Sequence, residues 1–284
     1  DVGFWNIEWL SRTYTDKTKL RMAASLIVDL GLDIWGLSEI SPNAIKALVA
    51  EIKRNFGEIY DYALSEPDAS DGKQSTAVIW KRKTVNGVRE AWPPEIDAMW
   101  GLDSRDPAAL EAEHGKIFNR YPGLFKFSVK GRASPFEFYV VPLHLKAMDE
   151  GTTRRKLASK LLARAIDLMI ERYGKDQDWV LGGDYNAELA TNDFEPLLAA
   201  DFKPMSAEDE DAGAFSYIKS PKSLIDHVFL SPNLAKRTGS DNYFIVAKDR
   251  TVDNYAHKLS DHRPVLVRFS ISGEAPQEER LDDV

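Results

Sequence analysis

The sequence predicts a domain of mixed α and β structure, α/β or α+β, built on mixed sheets. Three observations carry this. Apolar, β-branched-rich runs of strand length recur along the chain, amphipathic helical patterns lie between several of them, and some consecutive runs are separated only by turns.

The predicted strands are 2–7, 33–37, 76–80, 124–129, 136–143, 179–181, 225–230 and 265–271, each bounded by Gly, Pro, Asn or Asp. A helix over 17–30 places Leu20, Ala23, Ala24, Ile27 and Leu30 on one face. The next begins with Ser41 as N-cap and Pro42 at its first position, and buries Ile45, Leu48, Val49 and Ile52. The longest, about 152–173, packs Leu157, Leu161, Ala165, Leu168 and Met169, which leaves Arg154, Arg155, Lys160 and Arg164 largely elsewhere, for a solvated face or, less commonly, for contact with a phosphate backbone. The segment 84–114, rich in Pro, Trp and acidic residues, fits neither period and reads as a surface insertion or a substrate-facing lid. A single domain is expected over 1–271, with no internal repeat or linker, followed by an acidic tail at 272–284 that looks disordered.

The chain has 284 residues, enough for a substantial core, and its hydrophobic (43%) and charged (29%) fractions are those of an ordinary globular protein. It has no apolar run of membrane-spanning length. With no cysteine there are no disulfides, thiolate metal sites or cysteine nucleophiles. The first residue, Asp1, already begins a strand; signal-peptide removal, giving a secreted or periplasmic protein, would account for this, and so would trimming. A net charge of −8 argues against holding nucleic acid by general attraction. It argues less against an enzyme whose bound cation supplies positive charge only where a phosphate sits.

Polar clusters sit at the ends of the predicted strands, where loops present side chains to a ligand. They are Trp5-Asn6-Ile7-Glu8-Trp9, Leu37-Ser38-Glu39-Ile40, Pro142-Leu143-His144-Leu145-Lys146, Gly182-Gly183-Asp184-Tyr185-Asn186, Ile225-Asp226-His227 and Ser260-Asp261-His262-Arg263-Pro264. Singly, each has an ordinary explanation as a turn, a cap or a hydrogen-bonded structural histidine, and His114, His227 and His257 are assigned to such roles. Together, Glu39, Asp184, Asp226 and Asp261 with Asn6, Asn186, His144 and His262 form a set of hard oxygen ligands and imidazoles. Such a set suits Mg²⁺, Mn²⁺ or Ca²⁺ and proton transfer near neutrality. No Walker loop, Gly-x-Ser-x-Gly elbow or His-Glu-x-x-His helix is present. The residues alone therefore indicate a metal-assisted hydrolase.

In order along the chain, Trp-Asn-Ile, Ser-Glu-Ile, Pro-Leu-His, Gly-Asp-Tyr-Asn-Ala, Ile-Asp-His and Ser-Asp-His-Arg-Pro resemble the endonuclease/exonuclease/phosphatase superfamily, the deoxyribonuclease I-like proteins, from Asn6 to Pro264. The resemblance implies a four-layer sandwich of two packed mixed sheets flanked by helices. It also implies roles. Glu39 would be the principal ligand of Mg²⁺ (or Mn²⁺ or Ca²⁺), with Asn6 and Asp261 completing or supporting that site. Asp184 and Asn186 would orient the attacking water or bind a second metal, and Asn186 would also touch a phosphate oxygen. His262, held by Asp226, would be general base or phosphate ligand, and His144 would protonate or stabilise the leaving oxygen. Phe118-Asn119-Arg120-Tyr121-Pro122 resembles a deoxyribonuclease I segment and makes Arg120 a candidate phosphate contact. Two departures stand out: Ser41 occupies the place of an arginine that enters the minor groove, and Gln74 or Ser75 stands where a carboxylate would support His144. The leading expectation is a metal-dependent endonuclease acting on DNA, with RNA as a further substrate and no obligate protein partner evident. The alternatives are a phosphatase or phosphodiesterase of small-molecule or lipid phosphoesters, and a catalytically silent binding protein on the same scaffold.

Overall fold

The computed structural model describes residues 1–66, 68–100, 117–133, 135–148, 151–174, 177–239 and 242–271. In chain order the strands are β1 (Val2–Asn6), β2 (Ile34–Ile40), β3 (Tyr60–Leu64), β4 (Ser75–Lys81), β5 (Val85–Glu90), β6 (Leu124–Val129), β7 (Glu137–His144), β8 (Trp179–Asp184), β9 (Lys203–Pro204), β10 (Asp226–Leu230), β11 (Tyr243–Ile245) and β12 (Val265–Val267). The helices are α1 (Leu10–Thr13), α2 (Lys17–Leu30), α3 (Pro42–Phe56), α4 (Pro94–Trp100), α5 (Thr152–Tyr173), α6 (Glu195–Ala199), α7 (Ala207–Asp211), α8 (Pro232–Thr238) and α9 (Tyr255–Lys258).

One six-stranded sheet runs β11-β12-β1-β2-β4-β3 and the other β5-β6-β7-β8-β10-β9. Each contains one parallel pair, β1 with β2 and β7 with β8, among antiparallel neighbours. A parallel pair requires a crossover, and α2 and α5 supply the two. Asp16 starts α2 by accepting from the amides of Thr18 and Lys19, and Gly31, at φ 62, ends it. Ser41 and Pro42 open α3 as the sequence predicts.

Three apolar layers hold the sandwich together. Between the sheets lie Phe4, Val78, Phe125, Val140, Val180 and Val228. Residues of α2 and α3 (Leu20, Ala24, Ile27, Ile45, Leu48, Ile52) pack with Trp35 and Leu37 on the outer side of the first sheet. Residues of α5 (Leu161, Leu162, Ile166) pack with Trp179 and Leu181 on the outer side of the second. The result is the expected order of helix, sheet, sheet, helix. The sheets approach closely around Phe4: a β-carbon added at Gly36, its neighbour in β2, or at Gly182 in β8 would lie 2.4 and 2.3 Å from its ring.

The sequence reading needs three corrections. β3, β5, β9 and β11 were not expected, because they are short or, like Val85–Glu90, partly exposed and without clean alternation. Part of the supposed 84–114 insertion is thus the edge strand β5 followed by α4, while its remainder from 101, with His114, lies outside the described residues, as does the tail 272–284. Arg154 and Arg155 are buried, not solvated. Arg155 Nε donates to Asp193 at 2.6 Å and its Nη1 to the carbonyls of Lys146 and Met148, while Arg154 donates to Asn119 at 2.8 Å. Helical periodicity could not foresee this, because their partners come from distant segments. Lys160 and Arg164 are exposed as expected. Among the described residues no helix is long and apolar enough to cross a membrane.

Because Phe4 leaves no room at Gly182, Gly182→Val is expected to destabilise the protein by about 2–3 kcal/mol. The measurement is the urea midpoint at unchanged m-value; an unmoved midpoint would show that the ring yields freely.

Candidate active site

Strand register assembles the centre. Asp184 ends β8 and is paired with His144 on β7 at one side and with Asp226 on β10 at the other. Asn6 and Glu39, from the ends of the parallel strands β1 and β2, reach the same place from the opposite sheet. His262 precedes β12 of that opposite sheet.

Hydrogen bonds and close charge contacts link these groups. Arg120 Nη2 donates to Gln74 Oε1 at 2.6 Å, and Gln74 Nε2 donates to Glu39 Oε2 at 2.7 Å. The same Oε2 accepts from the Trp9 amide at 2.6 Å. Asn6 Nδ2 then links Glu39 (3.4 Å) to Asp184 (3.0 Å). Asp184 Oδ1 also accepts from the Asn186 amide at 2.9 Å, and Asn186 Nδ2 donates to the Leu145 carbonyl. His144 Nε2 and His262 Nε2 stand 3.5 and 3.8 Å from Asp184 Oδ2. His262 Nδ1 lies 2.7 Å from Asp226 Oδ2, which accepts a further hydrogen bond from Ser216 Oγ at 2.6 Å. With the Nδ1 edge engaged by Asp226, the Nε2 edge of His262 is left to face the centre.

The backbone is bent to make this possible. Glu39 has φ 62, inside an irregularity of the β2–β4 register between Leu37 and Ile40, and Asn186 has φ 55. Left-handed backbone is unfavourable for a glutamate and better tolerated by asparagine, and such strain clusters at functional sites. The His262 carbonyl is pinned by Trp5 Nε1 at 3.0 Å and Tyr255 Oη at 2.9 Å, and Ser260 Oγ bridges the Asn6 carbonyl and the His262 amide.

The two imidazoles are driven in opposite directions. Burial alone would lower the pKa of His262, but Asp226, Asp184 and Asp261 together outweigh it and push it up to about 10. His144 is held well below the ordinary range by burial, Arg120 and His262. Burial, reinforced by Asp226, raises the Asp184 carboxyl against the pull of His262. The centre thus pairs a cationic imidazole with a neutral one across a buried carboxylate, a separation of titrating groups typical of acid–base sites.

Several buried acceptors lack a donor. Asn6 Oδ1 and Asp226 Oδ1 have no hydrogen-bond partner, and neither does His144 Nδ1. Asp184, Asp226 and His262 each bring a ligand atom within 4.8 Å of the others, so this buried group could hold a metal ion. Undonated oxygens and carboxylates fit a hard divalent cation. Glu39 lies outside that trio and is joined to it by Asn6. Asp261 Oδ1 lies 3.9 Å from His262 Nε2, and its Oδ2 accepts from Lys219 Nζ at 2.9 Å, which also donates to Glu8 Oε1 at 2.7 Å. Gln74 and Ser75 do not support His144; Gln74 spans Glu39 and Arg120, and Ser75 bonds the Thr76 carbonyl. His227 is structural, with Ser206 Oγ on Nδ1 and the Ala187 carbonyl on Nε2, and His257 is exposed. The sequence reading missed Ser216 and Lys219, whose loop carries no motif and reaches the site only through the fold.

The endonuclease/exonuclease/phosphatase family profile matches residues 3–262, and the chain belongs to that family of phosphoester hydrolases, which generally use divalent metals. Solved structures with the same fold include a humanized D. rerio TDP2 (15% identity, TM-score 0.62, covering 95% of this chain and 98% of that one). An endonuclease/exonuclease/phosphatase from Bacteroides vulgatus is similar at 17% identity and TM-score 0.60, covering 95% and 98%. D. rerio TDP2 complexed with single strand DNA product is similar at 14% identity and TM-score 0.59, covering 93% and 96%. Identities this low speak for the fold alone. No curated protein sequence matches the chain significantly.

In the metal-free protein the His262 imidazole is expected to stay protonated through neutrality and to titrate near pH 10. Since that pKa lies above the ordinary 6.5, the stability it contributes is complete below 6.5 and lost as pH rises through 10. Asp226→Asn should lower the midpoint by roughly 1–3 units. NMR titration of the imidazole Cε1 proton measures both, and a wild-type midpoint near 6.5 would contradict the pairing.

Proposed function

We propose that the chain is a divalent-metal-dependent phosphodiester hydrolase that cleaves DNA internally, with RNA as a further substrate. The observation that carries this reading is the convergence of Asn6, Glu39, His144, Asp184, Asp226 and His262 on one network that leads, through Gln74 and Arg120, into a polar cleft.

Glu39 and Asn6 would hold Mg²⁺, with Mn²⁺ or Ca²⁺ as alternatives, and Asp261 would support that site. Such an ion, when bound, neutralises charge on the nonbridging phosphate oxygens. Asp184, buried and raised in pKa, orients the attacking water and takes its proton. His262, already a cation through Asp226, cannot serve as the base in that state; it binds a phosphate oxygen instead. Asn186 and Arg120 bind the remaining phosphate oxygens. Neutral His144 donates a hydrogen bond to the leaving oxygen as negative charge develops there, and solvent water supplies the proton that oxygen finally takes. The crystallisation of the structural relative D. rerio TDP2 with a single strand DNA product supports nucleic acid as the substrate class.

Supercoiled plasmid incubated with Mg²⁺ is expected to be nicked, and EDTA to abolish nicking. His262→Ala should lower the rate by about 10²–10⁴-fold, the range for loss of a proton-handling or oxyanion-stabilising group. Intact plasmid alongside hydrolysis of a small phosphoester would transfer the activity to small-molecule or lipid phosphoesters, and no turnover of either would refute the catalytic reading. Glu39→Gln is expected to raise the Mg²⁺ concentration for half-maximal activity by at least about 10-fold, read from metal titrations of the nicking rate.

A further inference from the structure

Trp9 departs from two ordinary preferences. Its backbone is left-handed, at φ 56, which a β-carbon disfavours. Its indole is 43% exposed, although large aromatic side chains gain most from burial. The turn itself has a purpose, since the Trp9 amide donates to Glu39 Oε2. That purpose does not call for an indole, because glycine would hold the same turn with less strain.

The side chain lies where a ligand would meet it. Trp9 lines a cleft of about 740 Å³ together with Arg12, Lys73, Gln74 and Arg120. Gln74 bonds both Glu39 and Arg120, so the cleft adjoins the catalytic network directly. Arg12 Cζ sits over the indole, 4.7 Å from the ring centroid, and steadies it. Three cations, Arg12, Lys73 and Arg120, face two carboxylates, Glu66 and Asp97, and Asp97 is engaged by the Tyr121 hydroxyl. In a chain of net charge −8, this is a locally cationic cleft with a half-exposed tryptophan at its edge, one ring face of which Arg12 covers.

We propose that Trp9 is a stacking platform for an unpaired nucleobase of a polynucleotide substrate, beside the phosphate held by Arg120. This rests on the nuclease reading above and narrows it to single-stranded or unpaired segments. A base inside a duplex already has both faces stacked, and its unstacking must be supplied before a side chain can take one face. Since every base has a π-face, the platform favours bases over no base without choosing among them.

The test separates binding from turnover by using a His262→Ala background. Fluorescence polarisation compares a labelled single-stranded thymidine oligomer with a strand of equal length and charge made of abasic units. The base-bearing strand is expected to bind about 10-fold more tightly or better. Trp9→Ala should erase that preference and Trp9→Phe should retain most of it. Trp9→Gly, which relieves the left-handed backbone, should melt cooperatively and share the loss. Equal affinity for the two strands, no binding of either, or a preference that survives Trp9→Ala overturns the proposal. Cleavage by protein with His262 intact is followed in parallel. Failure to cut any polynucleotide with Mg²⁺ removes the nuclease reading, whereas cutting without a base preference in binding removes only the platform.

Discussion

Two carboxylates, Asp184 and Asp226, are buried on adjacent strands of one sheet, and His262 from the other sheet stands against both. Buried like charges are prohibitive unless something of opposite sign is fixed close by. The rest of the site follows from this constraint. Ser216, Ser260, Trp5 and Tyr255 hold His262 and Asp226 by side chain and backbone, so that the cation cannot drift from the pair it compensates. The same contacts tie the sheets together, so the polar centre and the packing of the sandwich are one structural problem.

Close approach of the sheets is the second condition. Phe4 lies against Gly36 and Gly182, and the absence of side chains there lets β1 and β8 come near enough for Asn6 to bond Asp184 at 3.0 Å. Asn6 is therefore both a strand end and the joint between the Glu39 arm and the Asp184 arm of the network. On the Glu39 arm, a left-handed residue within β2 turns the carboxylate to meet the Trp9 amide and Gln74. Trp9, Glu39 and Asn186 all adopt left-handed backbone at this end of the molecule, where packed strands on both sides can enforce it.

The electrostatics reconcile an acidic chain with an anionic substrate class. The cleft is lined by three cations, Arg12, Lys73 and Arg120, against the two carboxylates Glu66 and Asp97. Arg120 is kept in place by Gln74, and its segment is braced through Asn119 by Arg154 of α5. A helix residue that periodicity would leave to solvent thus serves to position a loop that lines the cleft.

By itself the sequence determined the strands of both sheet centres, the cap of α3 that follows from Ser41, and the polar residues at the ends of the central strands. Those are local matters: apolar periodicity, turn chemistry and motif order survive in one dimension. It also singled out Asn6, Glu39, His144, Asp184, Asn186, Asp226, Asp261 and His262 as a set, since each lies at one end of an apolar run. Only the tertiary structure decided how they are shared out. The exposed edge strand β5 is strand-like because β6 pairs with it, and nothing in Val85–Glu90 announces this. Asp261 meets Lys219, Gln74 meets Glu39 and Arg120, and Arg155 meets Asp193, through contacts between residues 35 or more positions apart. The protonation of the two site histidines was likewise beyond the sequence, because burial and neighbouring charge are properties of the packed molecule and not of the residue.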